Sequence, residues 1–593
     1  MTLTPVPFRP GLHSDNTDYA GEGTWIDGNR IRFRGGLPES IGGWQQFTDE
    51  TFTGVPRAMH IWSEIDGSVD IAVGSSERLE ILRNQAIIDI TPQRASGSLT
   101  DPFDTTSGSS TVAVTDTAHG CIVGDTVLFS GATAVGGLTL DGYYSVTSVT
   151  SADVYSVDAG SAASSTANGG GTVGYVYLIS IGNVSAAPGY GWGAGGWGNS
   201  TWDTPRTSST VIISLGTWSI DNWGEDLLAL PRGGSLAAWD ASSPSNRAAI
   251  ISAAPTPNIA MVVSAEDRHV ILLGAGGDPM NVAWCKQEDY DVWTPAADND
   301  AESRRLLEGS TILAGLRATG EIVIWTDAAV YSMVYTAGPF VFSLRRVGAS
   351  GGLLGIHAMT EINGVTYYIG AGQFYAYTGR IQVIPCDILR EIFDDPDDPL
   401  ESNEHILDTM QSDKIECATI SAFNEVIWFY PSVGGTGEVD RYVKLNYLEN
   451  VWDFGALDRP AFTDQGIYST PMGVSPDGVL YMHETGRSAD GAALDSYIES
   501  GDFDMGDGDD VMLIKRMIPD FKLIGLIEAY IKVRKYPNSA QTTKGPYEIS
   551  STTVAVDFKA RGRQATLRLE SSGTDTFWRL GRLRFDIQPD GKR

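Results

Sequence analysis

The chain has 593 residues, 42% of them hydrophobic and 68 of them glycine, which is too long for one ordinary core and too rich in turn residues for a helical one. A formal net charge of -33 excludes a duplex-binding surface spread over the molecule, because tight duplex binding needs Lys and Arg to neutralise phosphates. No apolar run reaches the roughly 20 residues of a membrane-crossing helix, and Met1-Thr2-Leu3-Thr4-Pro5 lacks the basic-then-apolar pattern of a secretion signal.

The charge is uneven. Residues 511–593 hold 16 Lys and Arg against 8 Asp and Glu, leaving 25 basic and 66 acidic side chains in the first 510. Four cysteines, Cys121, Cys285, Cys386 and Cys417, lie far apart without a metal-type CxxC spacing, so buried free thiols are expected.

In chain order, residues 1–99 read as an N-terminal segment and a first propeller blade. A short apolar strand, a Gly or Asp turn and a second strand recur at 69–82, 227–239, 270–284, 321–334, 365–377, 426–445 and 478–497. Intervals of roughly 40 to 60 residues suit propeller blades of about four strands each. The expected fold is therefore all-β, with a propeller-like core of six or seven blades; two packed β-sandwiches would give much the same pattern.

Between 100 and 178 the texture changes to Ser, Thr, Gly, Ala and Val, and no Lys or Arg occurs between Arg94 and Arg206. Alternation in 111–115 and 143–149 predicts half-buried antiparallel strands, hence a small β-barrel or sandwich module inserted in a surface loop. Residues 179–510 then supply the remaining blades. Helical signal is weak, strongest at 386–393 before the acidic loop Asp394-Asp395-Pro396-Asp397-Asp398-Pro399. Residues 511–593 alternate basic and apolar side chains and are expected to form a separate, basic, β-sandwich-like C-terminal domain.

Candidate chemistry is sparse. The seven histidines stand in unrelated contexts, with no Gly-x-Ser-x-Gly elbow and no HExxH, so neither a catalytic residue nor a transition-metal ligand is assigned. Asp502, Asp504, Asp507 and Asp509 sit in a Gly-rich run that could offer oxygens to a cation. A twelve-residue calcium loop would end in a Glu, and Val511-Met512-Leu513 stands there instead. Trp192, Trp197 and Trp202 recur every five residues among glycines, and with Trp223 they are candidates either for subunit contacts or for packing within the chain.

Three stretches carry a resemblance. One is Gly-Tyr-Gly-Trp-Gly-Ala-Gly-Gly-Trp-Gly-Asn-Ser-Thr-Trp at 189–202, followed by Trp-Ser-Ile-Asp-Asn-Trp-Gly-Glu-Asp-Leu-Leu-Ala at 218–229. The second is Thr-Ala-His-Gly at 117–120 with Val-Gly-Asp-Thr-Val at 123–127 and Gly-Tyr-Tyr-Ser-Val at 142–146. The third is 578–587 at the chain's end. Together they resemble the tail nozzle or tail hub proteins of short-tailed bacteriophages.

The resemblance implies a structural virion component, not an enzyme and without cofactors, made in the host bacterial cytoplasm. It would form a ring, usually a hexamer, below a head-tail adaptor ring and above tail fibre, tailspike or needle proteins. Double-stranded DNA would be retained and then conducted through the ring without specific binding. The alternative is a propeller that binds or hydrolyses polysaccharide, which would require Asp, Glu and Tyr converging at one mouth.

Overall fold

The computed structural model describes residues 3–15, 20–186, 215–337, 341–394, 404–505 and 509–591. The chain divides into two compact units: residues 1–61, 184–215 and 306–593 form one, and residues 62–183 and 216–305 form the other. Strands dominate both. Among the described residues, no helix is long and apolar enough to cross a membrane.

The core is β-propeller-like, and its repeating element is a four-stranded antiparallel meander. The second unit holds three: Pro56–Ser63 through Ala86–Asp89, with its first strand starting just before the division, Trp218–Trp223 through Ala249–Ile250, and Ala260–Ser264 through Glu302–Arg305. The latter two sheets bury Leu228, Leu230, Met261, Val263, Val270 and Leu272 in a shared core. Middle strands such as His269–Leu273, in which every side chain is buried and all but His269 are apolar, are what face-to-face stacking of sheets requires.

The first unit holds four more sheets of the same kind. Three are continuous in sequence: Ile312–Ala318 through Phe342–Ala349, Met359–Ile362 through Ile381–Ile384, and Glu416–Ile420 through Val451–Ala456. The fourth is completed across the chain. Ala461–Thr463, Met472–Val474 and Val479–His483 take their outer strand from Trp44–Thr51, near the other end of the sequence. Gly478 has φ +79° at this closure and its carbonyl accepts from Phe52 N at 2.9 Å; a side chain there would meet the Phe52 carbonyl.

Of the seven sequence repeats, the first six each contain the second and third strands of one meander. The seventh, 478–497, does not: Val479–His483 is a propeller strand, but Ser496–Ser500 belongs to a different domain. That domain differs from the expected one at 511–593. Its sheets pair the N-terminal strands Leu3–Pro5, Arg9–Leu12, Thr24–Asn29, Ile31–Arg34 and Leu37–Ser40 with strands from Ser496 to Pro589. The five strands from Leu3 to Ser40 thus join ten from Ser496 to Pro589 in a terminal β domain, and the first blade of the expected 1–99 segment is confined to Pro56–Asp89. Composition marked 511 as a boundary, whereas hydrogen bonding places it at Ser496, since Ser496–Ser500 pairs with Gln564–Ser571.

The inserted module starts earlier than expected, at Gln93. Gln93–Thr100 pairs antiparallel with Thr172–Leu178, within one eight-stranded sheet around Phe103, Val114, Phe129, Val146, Tyr155 and Tyr177. It enters between two meanders, after Ala86–Asp89 and before Trp218–Trp223. Its ends meet, because Ile179 N donates to the Pro92 carbonyl at 3.0 Å. Tyr143 rests on the host by a hydrogen bond to Asp89, which Arg247 also pairs at 2.9 Å.

Joining Pro92 to Ile179 through a short Gly-Ser linker should therefore leave the host fold intact. The Asp89–Arg247 pair persists, while the Tyr143 hydroxyl's bonds to Asp89 and Arg247 and its ring's contact with Arg78 are lost, so the cost should be about 2 to 4 kcal/mol in denaturant titration. Aggregation of the excised chain would show that the module is part of the host's core.

Candidate functional site

Charged side chains buried within the first unit form its most developed polar cluster. Ile31–Arg34 is a strand whose first three side chains are all buried, so Arg32 carries its guanidinium inward. Arg32 is only 2% exposed. It contacts Glu484 at 2.6 and 2.8 Å and Glu425 through two bonds of 3.2 Å, while its plane lies 3.6 Å from the Phe423 ring centroid. Gly42 admits Glu484, whose carboxylate a β-carbon at that position would strike, and its N–H donates to Glu484 at 3.1 Å.

Lys444 extends the cluster. Its ammonium lies 3.0 Å from Glu425 and 3.5 Å from Asp453, and it donates to the Ile31 carbonyl at 3.1 Å. Burial alone would lower Arg32, but Glu425 and Glu484 outweigh it and hold the guanidinium above its ordinary value. Glu484 stays below its ordinary value because Arg32 overcomes the cost of burial. Asp453 is pushed up to about 7 by burial, with Glu425 adding to the rise and Lys444 opposing it.

A second buried cation lies beside the strand Trp44–Thr51. Arg459 donates to His483 Nε2 at 2.8 Å and sits over the rings of Trp44 and Tyr481. Nε2 of His483 must therefore be the unprotonated nitrogen. Burial, reinforced by Arg459, drives His483 well below its ordinary value. A third group, Arg57 with Lys414 and Glu438, uses its spare donors on the Val184 carbonyl and Ser185 Oγ. Lys414 Nζ also donates to the Gly437 carbonyl at 2.6 Å and to Glu438 at 2.8 Å, so beside the Ser185 hydroxyl it stands as an engaged ammonium donor.

The sequence candidates fall differently. Asp502 is buried and engaged: Arg534 Nε donates to it at 2.7 Å and Thr566 Oγ1 at 2.8 Å. It is the partner of an arginine and not a free cation ligand. Asp504 and Asp509 are described nearby without forming a ligand set, and Asp507 lies outside the described residues. Among those residues, no group of three or more His, Cys, Asp or Glu is placed to hold a metal ion.

Trp223 packs within the chain, half-buried against the core between two meanders and edge-on to Tyr290 at 5.9 Å. Trp192, Trp197 and Trp202 lie outside the described residues. The segment containing them leaves at Asn183, whose carbonyl accepts from Gly216 N at 2.9 Å, so its two roots meet. His119 is buried in the module, its Nδ1 accepting from Cys121 N and its Nε2 donating to the Ser151 carbonyl. All four cysteines are free thiols.

The expected basic C-terminal domain is also corrected. Its cations are matched by carboxylates that the boundary at 511 had left outside: Lys532 and Arg568 pair with Glu499, Arg534 with Asp502, and Arg579 with Glu39. Taken with its N-terminal strands, residues 1–40 and 496–593, the domain holds 20 Lys and Arg against 19 Asp and Glu. The negative excess belongs to residues 41–495.

No protein-family model and no curated protein matches the chain in sequence. Among solved structures, the computationally designed Ika8 protein is similar over 74% of this chain and 99% of its own, at 9% identity and TM-score 0.32. BamB from Moraxella catarrhalis is similar over 45% of this chain and 81% of its own, at 15% identity and TM-score 0.25. Hsv2 from Kluyvelomyces marxianus covers 47% and 75%, at 10% identity and TM-score 0.28. Likenesses at that level carry no functional inference.

The raised Asp453 sets a pH dependence. From its ordinary 3.8 up to about 7 the folded state binds the extra proton, so this group's stabilisation is lost as pH rises through that window. His405, lowered to about 4 by burial and Arg441, acts oppositely and loses stability as pH falls. Asp453→Asn should therefore flatten the decline between pH 5 and pH 8 relative to the parent chain in urea titrations. An unchanged slope would place the Asp453 carboxyl outside the titrating set.

Proposed function

We propose that this chain is a structural subunit of a short-tailed phage tail, assembling into a ring, hexameric by family resemblance, that retains packaged DNA and later conducts it. Its neighbours would be an adaptor ring above and a fibre, tailspike or needle protein below. The observation that carries the reading is the partition of charge. Residues 41–495, the propeller-like core and its module, hold 21 Lys and Arg against 55 Asp and Glu. No Lys or Arg row is available there to condense phosphates, so a duplex passing such a wall meets no deep electrostatic well.

Buried cations support a mechanical role. Lys444, Arg459, Arg57 and Lys414, four of the core's cations, are spent on buried internal contacts that stiffen the fold and are withheld from a passing polyanion. The function needs no bond-making residue. Retention and release follow from shape and repulsion.

Native mass measurement of the purified chain should give a closed oligomer, and particle images should show a ring with a central opening. The ring should not retain duplex DNA at about 50 mM salt, where six to ten phosphate contacts would bind tightly. A monomer that cleaves or captures polysaccharide would replace the nozzle with the carbohydrate-active alternative.

A further inference from the structure

The inserted module ends in a strand with one bare side. Among the described residues, Gln93–Thr100 pairs only with Thr172–Leu178 and stands first in the module's sheet order. Its residues are exposed on both faces, Leu99 alone being half-buried. Groups pointing away from the single neighbour form a row of alternating N–H donors and C=O acceptors, which is the template for adding another strand.

Three other long exposed edges among the described residues are guarded by cations or proline. Thr542–Ile549 carries Lys544 and Pro546, Phe342–Ala349 carries Arg345 and Arg346, and Val556–Gly562 carries Lys559 and Arg561. The opposite end of the module's own sheet is a strand of three residues, Ala167–Gly169. Lysines, arginines, prolines and shortness are the ordinary means of preventing stray pairing. Ala95-Ser96-Gly97-Ser98-Leu99-Thr100 has none of them. Arg94 is turned back onto the module, donating to the His119 carbonyl at 3.0 Å and to Cys121 Sγ at 3.3 Å, with Asp125 at 3.7 Å.

Charge selects the occupant. Residues 93–178 contain seven Asp, no Glu and one Arg, so a second copy of the module would approach at like charge. A strand bearing Lys or Arg gains attraction from the same field. Ala95 to Ser98 are small and leave room for the side chains of an incoming strand.

We propose that the outer edge of Gln93–Thr100 takes an added antiparallel strand from a basic, extended segment of another polypeptide. Backbone pairing supplies the geometry and the module's carboxylates supply the preference for positive charge. The inference does not depend on the ring.

The test uses the full chain and three ten-residue probes: alternating Thr and Lys, alternating Thr and Glu, and the Thr-Lys peptide with alternate backbone N-methylation. Amide exchange is followed at Ala95 to Thr100, with Val154–Asp158 as a reference strand inside the module. The Thr-Lys peptide should saturably slow exchange at the edge, and raising salt from about 50 to 200 mM should weaken it. Ser98→Lys, and separately Ser96→Pro, should remove the protection while the reference strand is unchanged; the lysine variant keeps the test decisive if the proline disturbs folding. Equal protection by the Thr-Glu peptide, equal binding of the methylated peptide, or no protection by any probe would overturn the proposal. So would edge protection that grows with protein concentration alone, which would make the occupant a second copy.

Discussion

A buried guanidinium must find its carboxylates, and Arg32 finds two that belong to different sheets. Glu425 opens the second strand of one meander and Glu484 follows the third strand of the next, so only one placement of Ile31–Arg34 satisfies both. Stripping water from an ion costs several kcal/mol unless partners replace it, and a shifted strand would part Arg32 from both carboxylates, leaving Glu425 with Lys444 alone. The same placement delivers Trp44 ten residues later to the edge of Val479–His483, where Arg459 sits beneath its ring. One N-terminal segment thereby completes both the terminal domain and the last propeller sheet.

This long-range stitching explains what the sequence made legible and what it hid. Hairpins such as Asp226–Pro231 with Ala237–Trp239 are local, and alternating apolar runs across a short turn reveal them. Consecutive sheets even repeat an ending, Ala-Ala-Trp at 237–239 and Val-Ala-Trp at 282–284, with Trp239 and Trp284 both fully buried; that repeat was a usable blade signature. The pairing of Thr24–Asn29 with Ser496–Ser500 has no such local trace, because its partners are separated by most of the chain. The short helix Leu389–Phe393 fell within the stretch that composition favoured.

Charge composition misled at 511 for a related reason. A run of cations reads as a basic surface only while its partners are unknown, and Glu499 and Asp502 lie just upstream of the apparent boundary. Asp502, a weak cation candidate in the sequence, is likewise engaged once Arg534 is in view. Both readings dissolve once Arg534 and Asp502 are seen as one pair. What survives is a nearly neutral terminal domain and a body that carries the protein's negative excess, which is the distribution a non-adhesive wall requires and a duplex-binding protein lacks.

The most direct measurement is a reconstruction of the assembled protein in which the charged side chains lining its opening are counted. Asp and Glu should outnumber Lys and Arg along the wall, most strongly at the constriction, since screening limits the field to about 8 Å at physiological ionic strength. A lumen lined mainly by Lys and Arg, or an assembly with no opening, would contradict the proposed conduit.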